Sequence, residues 1–74
     1  MTATPGAALA IRLNGEPHLL PESMSLRALV DSVGCDPASV AVELNGVIVR
    51  RARLVETTIV DGDVVEIVRF VQGG

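Results

Sequence analysis

Aromatic residues are almost missing from this chain: Phe70 stands alone, with no Trp and no Tyr in 74 residues. The stacking platforms that hold single-stranded nucleic acid are therefore absent. Lysine is missing too, since all 6 basic residues are arginine, and 9 acidic residues leave a formal charge of −3. Outside the short run Arg50, Arg51 and Arg53, which reads as a solvated turn, nothing offers clustered cations to a phosphate backbone, and no nucleic-acid partner is expected. With no side-chain amine, the chain can be a donor in isopeptide chemistry but hardly a chain-building acceptor. A single cysteine, Cys35, excludes an intramolecular disulfide and a zinc site of the usual Cys/His spacing. No metal site is expected, and a reducing, cytoplasmic setting fits. No segment approaches the roughly 18 apolar residues of a spanning helix, and the first residues lack the basic start and apolar run of a signal peptide. No membrane association is expected.

What the chain does have is aliphatic mass: 49% of residues are hydrophobic, drawn almost wholly from Val, Leu, Ile and Ala. That supplies one core and leaves no material for a second. We read residues 1–8 as a disordered lead-in, residues 9–70 as the domain, and residues 71–74 as a flexible tail.

Periodicity organises the domain. Leu9, Ile11 and Leu13 alternate with Ala10 and Arg12, and Asn14-Gly15 then signals a tight hairpin into a strand over residues 17–20. Pro21 ends that strand. Ser25 precedes Leu26, Leu29, Val30 and Val33, the spacing of a helix buried on one face, with Gly34 at its C-terminal cap. After an Asp36-Pro37 turn, Val40, Val42 and Leu44 alternate, and Asn45-Gly46 leads into a strand over residues 47–50. A short helical turn over residues 52–57 and the turn Asp61-Gly62-Asp63 precede a last strand over residues 64–70. Two hairpins, one helix and a closing strand make an α+β domain in which a mixed sheet curls over one main helix. The β-grasp arrangement satisfies this order, with first and last strands parallel and adjacent at the sheet centre.

Conventional catalysis is poorly provided for, and no catalytic side chain is assigned. His18, the sole histidine, reads as a solvent-facing strand residue and Cys35 as a space-filler. Asp61 and Asp63 lack the further oxygen ligands of a calcium loop and read as a turn. The end of the chain is different, because Val71, Gln72, Gly73 and Gly74 follow the last strand with nothing folding after them. Two glycines have no Cβ, so they can thread a narrow channel in conformations that other residues obstruct. A terminal carboxylate is ionised at neutral pH, and its oxygen can attack the α-phosphate of ATP to give an acyl-adenylate that a sulfur nucleophile converts to a thiocarboxylate. A Gly-Gly pair alone is also what a plain chain end looks like. On the last strand Val65 and Ile67 should face the helix, which puts Val68 and Phe70 on the opposite face beside the tail. Such exposed apolar surface marks a docking site, although a central strand covered on both sides would carry the same run.

The residues that fit this scheme together are Leu13-Asn14-Gly15-Glu16, Leu20-Pro21-Glu22, Leu26 to Gly34, Val40-Ala41-Val42-Glu43-Leu44-Asn45-Gly46, Asp61-Gly62-Asp63, Val65-Glu66-Ile67-Val68 and Gly73-Gly74. In that order they resemble the ThiS sulfur carriers of thiamine biosynthesis, which share the ubiquitin-like β-grasp fold with MoaD. The resemblance implies a carrier rather than an enzyme, with no bound cofactor. Gly74, following Gly73, would be adenylated by a ThiF-like enzyme that uses ATP, and loaded with sulfur originating from a cysteine desulfurase. The product would meet a ThiG-like thiazole synthase, with Val68, Phe70, Val71 and Gln72 docking partners. Arg51, Leu54 and Gln72 depart from the common family pattern and bear on partner fit. A MoaD-like carrier for molybdopterin is the nearest alternative, disfavoured because such chains tend to carry proline before the closing glycines. A non-covalent β-grasp module or a ubiquitin-like modifier is the alternative from a different class.

Overall fold

A computed structural model describes residues 8–70. Five strands, β1 (Leu9–Leu13), β2 (Glu16–Leu20), β3 (Val40–Leu44), β4 (Val47–Val49) and β5 (Val64–Arg69), and one α-helix, α1 (Leu26–Ser32), are joined by 3-10 segments at Pro37–Ser39 and Arg51–Glu56. The sheet order is β2-β1-β5-β3-β4, with β1 and β5 parallel and every other pairing antiparallel. This is the expected ubiquitin-like β-grasp, and the last strand of the chain occupies the middle of the sheet.

Both hairpins close on asparagine followed by glycine because each turn needs two residues with positive φ. Asn14 and Gly15 sit at 52° and 83°, and Asn45 and Gly46 at 52° and 86°. That pairing of angles matches the twist of the flanking strands, and asparagine is among the few residues with a side chain that tolerate it. The helix starts at Ser25, whose hydroxyl accepts from the Ala28 N–H at 3.1 Å. It ends with Gly34 N–H donating to the Asp31 carbonyl at 3.0 Å and Cys35 N–H to the Val30 carbonyl at 3.1 Å, which satisfies its last carbonyls. The same wrap turns Cys35 onto the core margin, in keeping with its reading as a filler.

The core lies between one face of the sheet and the helix. Ile11, Leu20, Val42, Val65 and Ile67 come from strands and meet Leu26, Leu29 and Val30 of α1, while Leu54 and Ile59 close the far side. The segment carrying Leu54 and Ile59 is tied to the helix start by Leu26 N–H to the Thr57 carbonyl at 2.8 Å and Ile59 N–H to the Met24 carbonyl at 2.9 Å. His18 departs from expectation. It stands opposite Ile11 across the β1–β2 ladder, on the helix side, and is half-buried. The phase of β2 is set by Leu20, which enters the core, so the residue two positions earlier must face the same way.

The two turn asparagines do more than bend the chain. Asn14 Oδ1 accepts from the Ile67 N–H at 2.7 Å and its own N–H donates to the Val65 carbonyl at 2.9 Å, so it holds β5 on one side. Across the strand, Asn45 Oδ1 accepts from the Val64 N–H at 2.9 Å, and Asn45 N–H donates to the Val64 carbonyl at 2.7 Å. Asn45 Nδ2 also donates to Asp63 Oδ1 at 3.0 Å. Asp63, only 8% exposed, takes a second donor at its Oδ2 from the Val60 N–H at 2.9 Å. Asp61 Oδ1 accepts from the Ala10 N–H at 2.7 Å. The Asp61-Gly62-Asp63 turn is therefore a splice between β1, β3 and β5, with both carboxylates occupied by backbone or amide donors.

Substitution of Asn45 separates the two demands made on it. Asn45→Gly keeps the positive φ but leaves Asp63 and the Val64 N–H short of partners, and should cost about 1–3 kcal/mol. Asn45→Ala adds left-handed strain of about 1 kcal/mol and should be less stable again. Urea unfolding midpoints of wild type, Asn45→Gly and Asn45→Ala, falling in that order, check both; equal midpoints for the two variants would remove the conformational demand.

Candidate functional site

The outer face of the sheet, the one without a helix, is where the exposed apolar side chains gather. Antiparallel register puts Val68 directly opposite Ala41 and Glu66 opposite Glu43, with Ile48 of β4 opposite Glu43 in turn. Residues on one strand alternate faces, so Val68 and Phe70 share this outer side while Val65 and Ile67 fill the core. Val68 is 53% exposed and Phe70 57%, and no element of the described chain covers them.

Phe70 lies at the rim of a shallow cleft that it shares with Ala41, Ile48, Arg50 and Arg51. Its N–H donates to the Ser39 carbonyl at 3.0 Å, so the backbone at the root of the tail is fixed to the strand beside it while the ring stays in solvent. The sequence reading placed Val68 and Phe70 on this face, and it left out Ile48 and Ala41. Ile48 was legible in principle, since Val49 alternates with it and pairs with the buried Val42. The arginines are exposed, as a solvated run should be. Arg53 pairs with Glu56 at 2.9 Å, whereas no ion pair holds Arg50 or Arg51 among the described residues. The face thus mixes the apolar Ala41, Ile48, Val68 and Phe70 with the facing pair Glu43 and Glu66, and carries arginines along one margin.

Val71, Gln72, Gly73 and Gly74 lie outside the described residues. What the structure gives is their point of departure, at the end of the central strand and next to the Phe70 ring. Among the described residues no three His, Cys, Asp or Glu side chains come together as a metal-holding group, and no helix is long and apolar enough to cross a membrane. His18 lies on edge strand β2, whereas Cys35 follows the helix C-terminus and its Sγ accepts from Arg69 Nη2 at 3.6 Å beside the end of β5, so the two share no site among the described residues.

The chain matches the model of the ThiS family over residues 9–74. It is 39% identical over 62 residues to the sulfur carrier protein ThiS of Thermus thermophilus, covering 84% of this chain and 95% of that one. It is also 40% identical over 62 residues, or 84% of its length, to a thiazole synthase of Paramagnetospirillum magneticum. There it spans only 19% of the relative, and 20% of a second thiazole synthase from Magnetococcus marinus, so it corresponds to a small part of those proteins. The crystal structure of the thiamine biosynthesis protein ThiS from Geobacter metallireducens superposes with a TM-score of 0.77 at 33% identity, over 89% of this chain and 100% of that one. A strand order with the closing strand at its centre, a bare apolar outer face beside the tail, and a family match that runs through the terminal glycines agree with one another: the chain belongs to the ThiS family.

Proposed function

We propose that the protein is a sulfur carrier for thiazole formation in thiamine biosynthesis, and that its reactive atom is the carboxyl carbon of Gly74. The observation that carries the reading is the match to the ThiS family through Gly73-Gly74, with the exposed Val68 and Phe70 at the root of that tail. On this reading the folded body is a handle and the chemistry belongs to partners. A ThiF-like enzyme binds the outer face and draws the tail into its ATP site. A carboxylate oxygen of Gly74 attacks the α-phosphorus, the bond to the pyrophosphate leaving group breaks, and an acyl-adenylate forms. A sulfur nucleophile at the sulfide oxidation level, released from a cysteine desulfurase's persulfide by a thiol reductant that is oxidised to its disulfide, then attacks the carbonyl carbon. The carbon–sulfur bond forms as the carbon–oxygen bond to AMP breaks, and the product is a thiocarboxylate.

The chain itself acts as co-substrate, and ATP is bound by the partner rather than by the carrier. The relatives support a second partner: in the thiazole synthases of Paramagnetospirillum magneticum and Magnetococcus marinus a segment like this chain is part of the synthase polypeptide. A ThiG-like thiazole synthase is accordingly the proposed sulfur acceptor, with Val71 and Gln72 passing through its entrance after the glycines.

Incubation with a ThiF-like adenylating enzyme, ATP and a sulfide source should change the intact mass by the exchange of one oxygen for one sulfur, located at Gly74 by fragmentation. No exchange, or covalent conjugates to other proteins, would replace the carrier reading with that of a binding module or a modifier. Deleting Gly74, or adding one residue after it, should abolish loading and leave the thermal unfolding curve nearly unchanged. Phe70→Glu should weaken binding to the adenylating enzyme about ten-fold or more, as loss of an apolar anchor does, while stability moves by no more than about 0.5 kcal/mol. Calorimetric titration and a melting curve of the same sample check it, and a collapsed fold would show the ring to be part of the core.

A further inference from the structure

The hydrogen bonds of β5 alternate in direction, and their phase is fixed at both ends. Phe70 N–H donates to Ser39 on the β3 side, and Asn45 N–H on that side donates to the Val64 carbonyl. Even-numbered residues of β5 therefore bond towards β3, and the pairs Val40 with Arg69, Val42 with Ile67 and Leu44 with Val65 are the ones that exchange no hydrogen bonds. The odd-numbered residues turn their peptide groups the other way. Val65 C=O accepts from Asn14, and Ile67 N–H donates to the Asn14 side chain, as that phase requires.

On this second side the neighbouring strand stops early. Pairing with β1 ends at Leu13 opposite Val65, because the chain turns away at Asn14-Gly15. Beyond the Asn14 side chain no strand of the described residues runs beside β5, so the Ile67 carbonyl and the Arg69 N–H and carbonyl form a short open edge. It lies in the middle of the sheet's order, immediately before the four residues that follow Phe70.

An open edge of this kind accepts an extended segment, whose affinity comes from main-chain hydrogen bonds. The tail gives the same requirement from another direction, since Gly73 and Gly74 have no side chains and can be gripped only through their peptide groups. A second copy of the chain fits the edge badly. Antiparallel pairing of two such short edges centres on Arg69 and sets one guanidinium against another across the strands.

We propose that the open edge of β5 at Ile67 and Arg69 receives an extended segment of the adenylating enzyme, which pairs with this edge as an added strand. The inference rests on the carrier reading and adds to it the mode of capture. The segment bonds the Arg69 N–H and carbonyl, and a neutral or acidic residue faces the Arg69 side chain.

The phase of the ladder supplies the test. Proline at position 69 removes an N–H that makes no bond among the described residues, and proline is tolerated where that side of a strand is open. Its restriction on Val68 is met by extended backbone. Arg69→Pro and Arg69→Ala both lose the guanidinium, and only the first loses the peptide N–H. In ATP–pyrophosphate exchange by a ThiF-like enzyme, Arg69→Pro should have a kcat/KM for the carrier about ten-fold below Arg69→Ala, the effect of leaving one acceptor unpaired. In the wild-type carrier, the Arg69 amide should exchange with solvent more slowly on addition of the enzyme, a readout that stands whether or not the proline variant folds. Equal values for the two variants, when both melt like wild type, or an Arg69 amide unaffected by the enzyme, overturn the inference while leaving the carrier reading intact. An Arg69 amide already protected in a free chain that sediments as a dimer assigns the edge to a second copy and overturns it as well. A wild-type chain that supports no exchange removes the carrier reading and this inference with it.

Discussion

Two asparagine side chains, one from each hairpin turn, hold the closing strand in the middle of the sheet. The contact between Asn14 and Ile67 joins residues 53 apart in the chain, so ordering it carries a large loop-closure cost that only simultaneous pairing on both sides can offset. Asn45 supplies the other side and also satisfies the buried Asp63, which leaves β5 no freedom to slide. A slip of one residue would turn Val65 and Ile67 outward and carry the charged Glu66 into the core with its even-numbered neighbours. The identity of the outer face is thus held by two amide groups on the rim of the sheet as well as by the apolar alternation of the strand.

That dependence explains which parts of the molecule were legible in its sequence. The hairpins, the helix and the inward phase of β5 rest on neighbours within a few residues: Asn-Gly pairs, a serine cap, and Val65 and Ile67 in alternation. Local chemistry is visible along a chain. The work of Asn14, Asn45 and Asp63 lies between segments far apart in sequence, and a turn residue looks the same whether or not its side chain clamps a distant strand. His18 was misplaced for a related reason, since Leu19 and Leu20 are both apolar and either phase of β2 could have been right. Leu20 settled it by entering the core. Ile48 joined the patch unannounced because β4 has only three residues, too few for alternation to stand out.

The outer face is built on unequal terms. Its aliphatic residues, Ala41, Ile48 and Val68, can bury area against many surfaces and discriminate poorly among them, whereas Glu43 and Glu66 beside them carry charge. The arginines at its margin, and the peptide groups at the end of β5, are directional. A carrier that visits more than one enzyme profits from this division, because common apolar contact can be shared while the directional groups sort partners.

Because Phe70 is bonded to β3, the tail begins at a fixed point, and four residues remain to the chain's end. Fully stretched, four residues span about 14 Å. On the proposed carrier reading that anchor sets an upper limit: a centre that acts on the Gly74 carbonyl lies within this reach of the Phe70 backbone. On that reading the domain acts as a stop: enzymes served by one carrier share the same greatest depth at which a reacting atom can lie below the surface that meets the sheet.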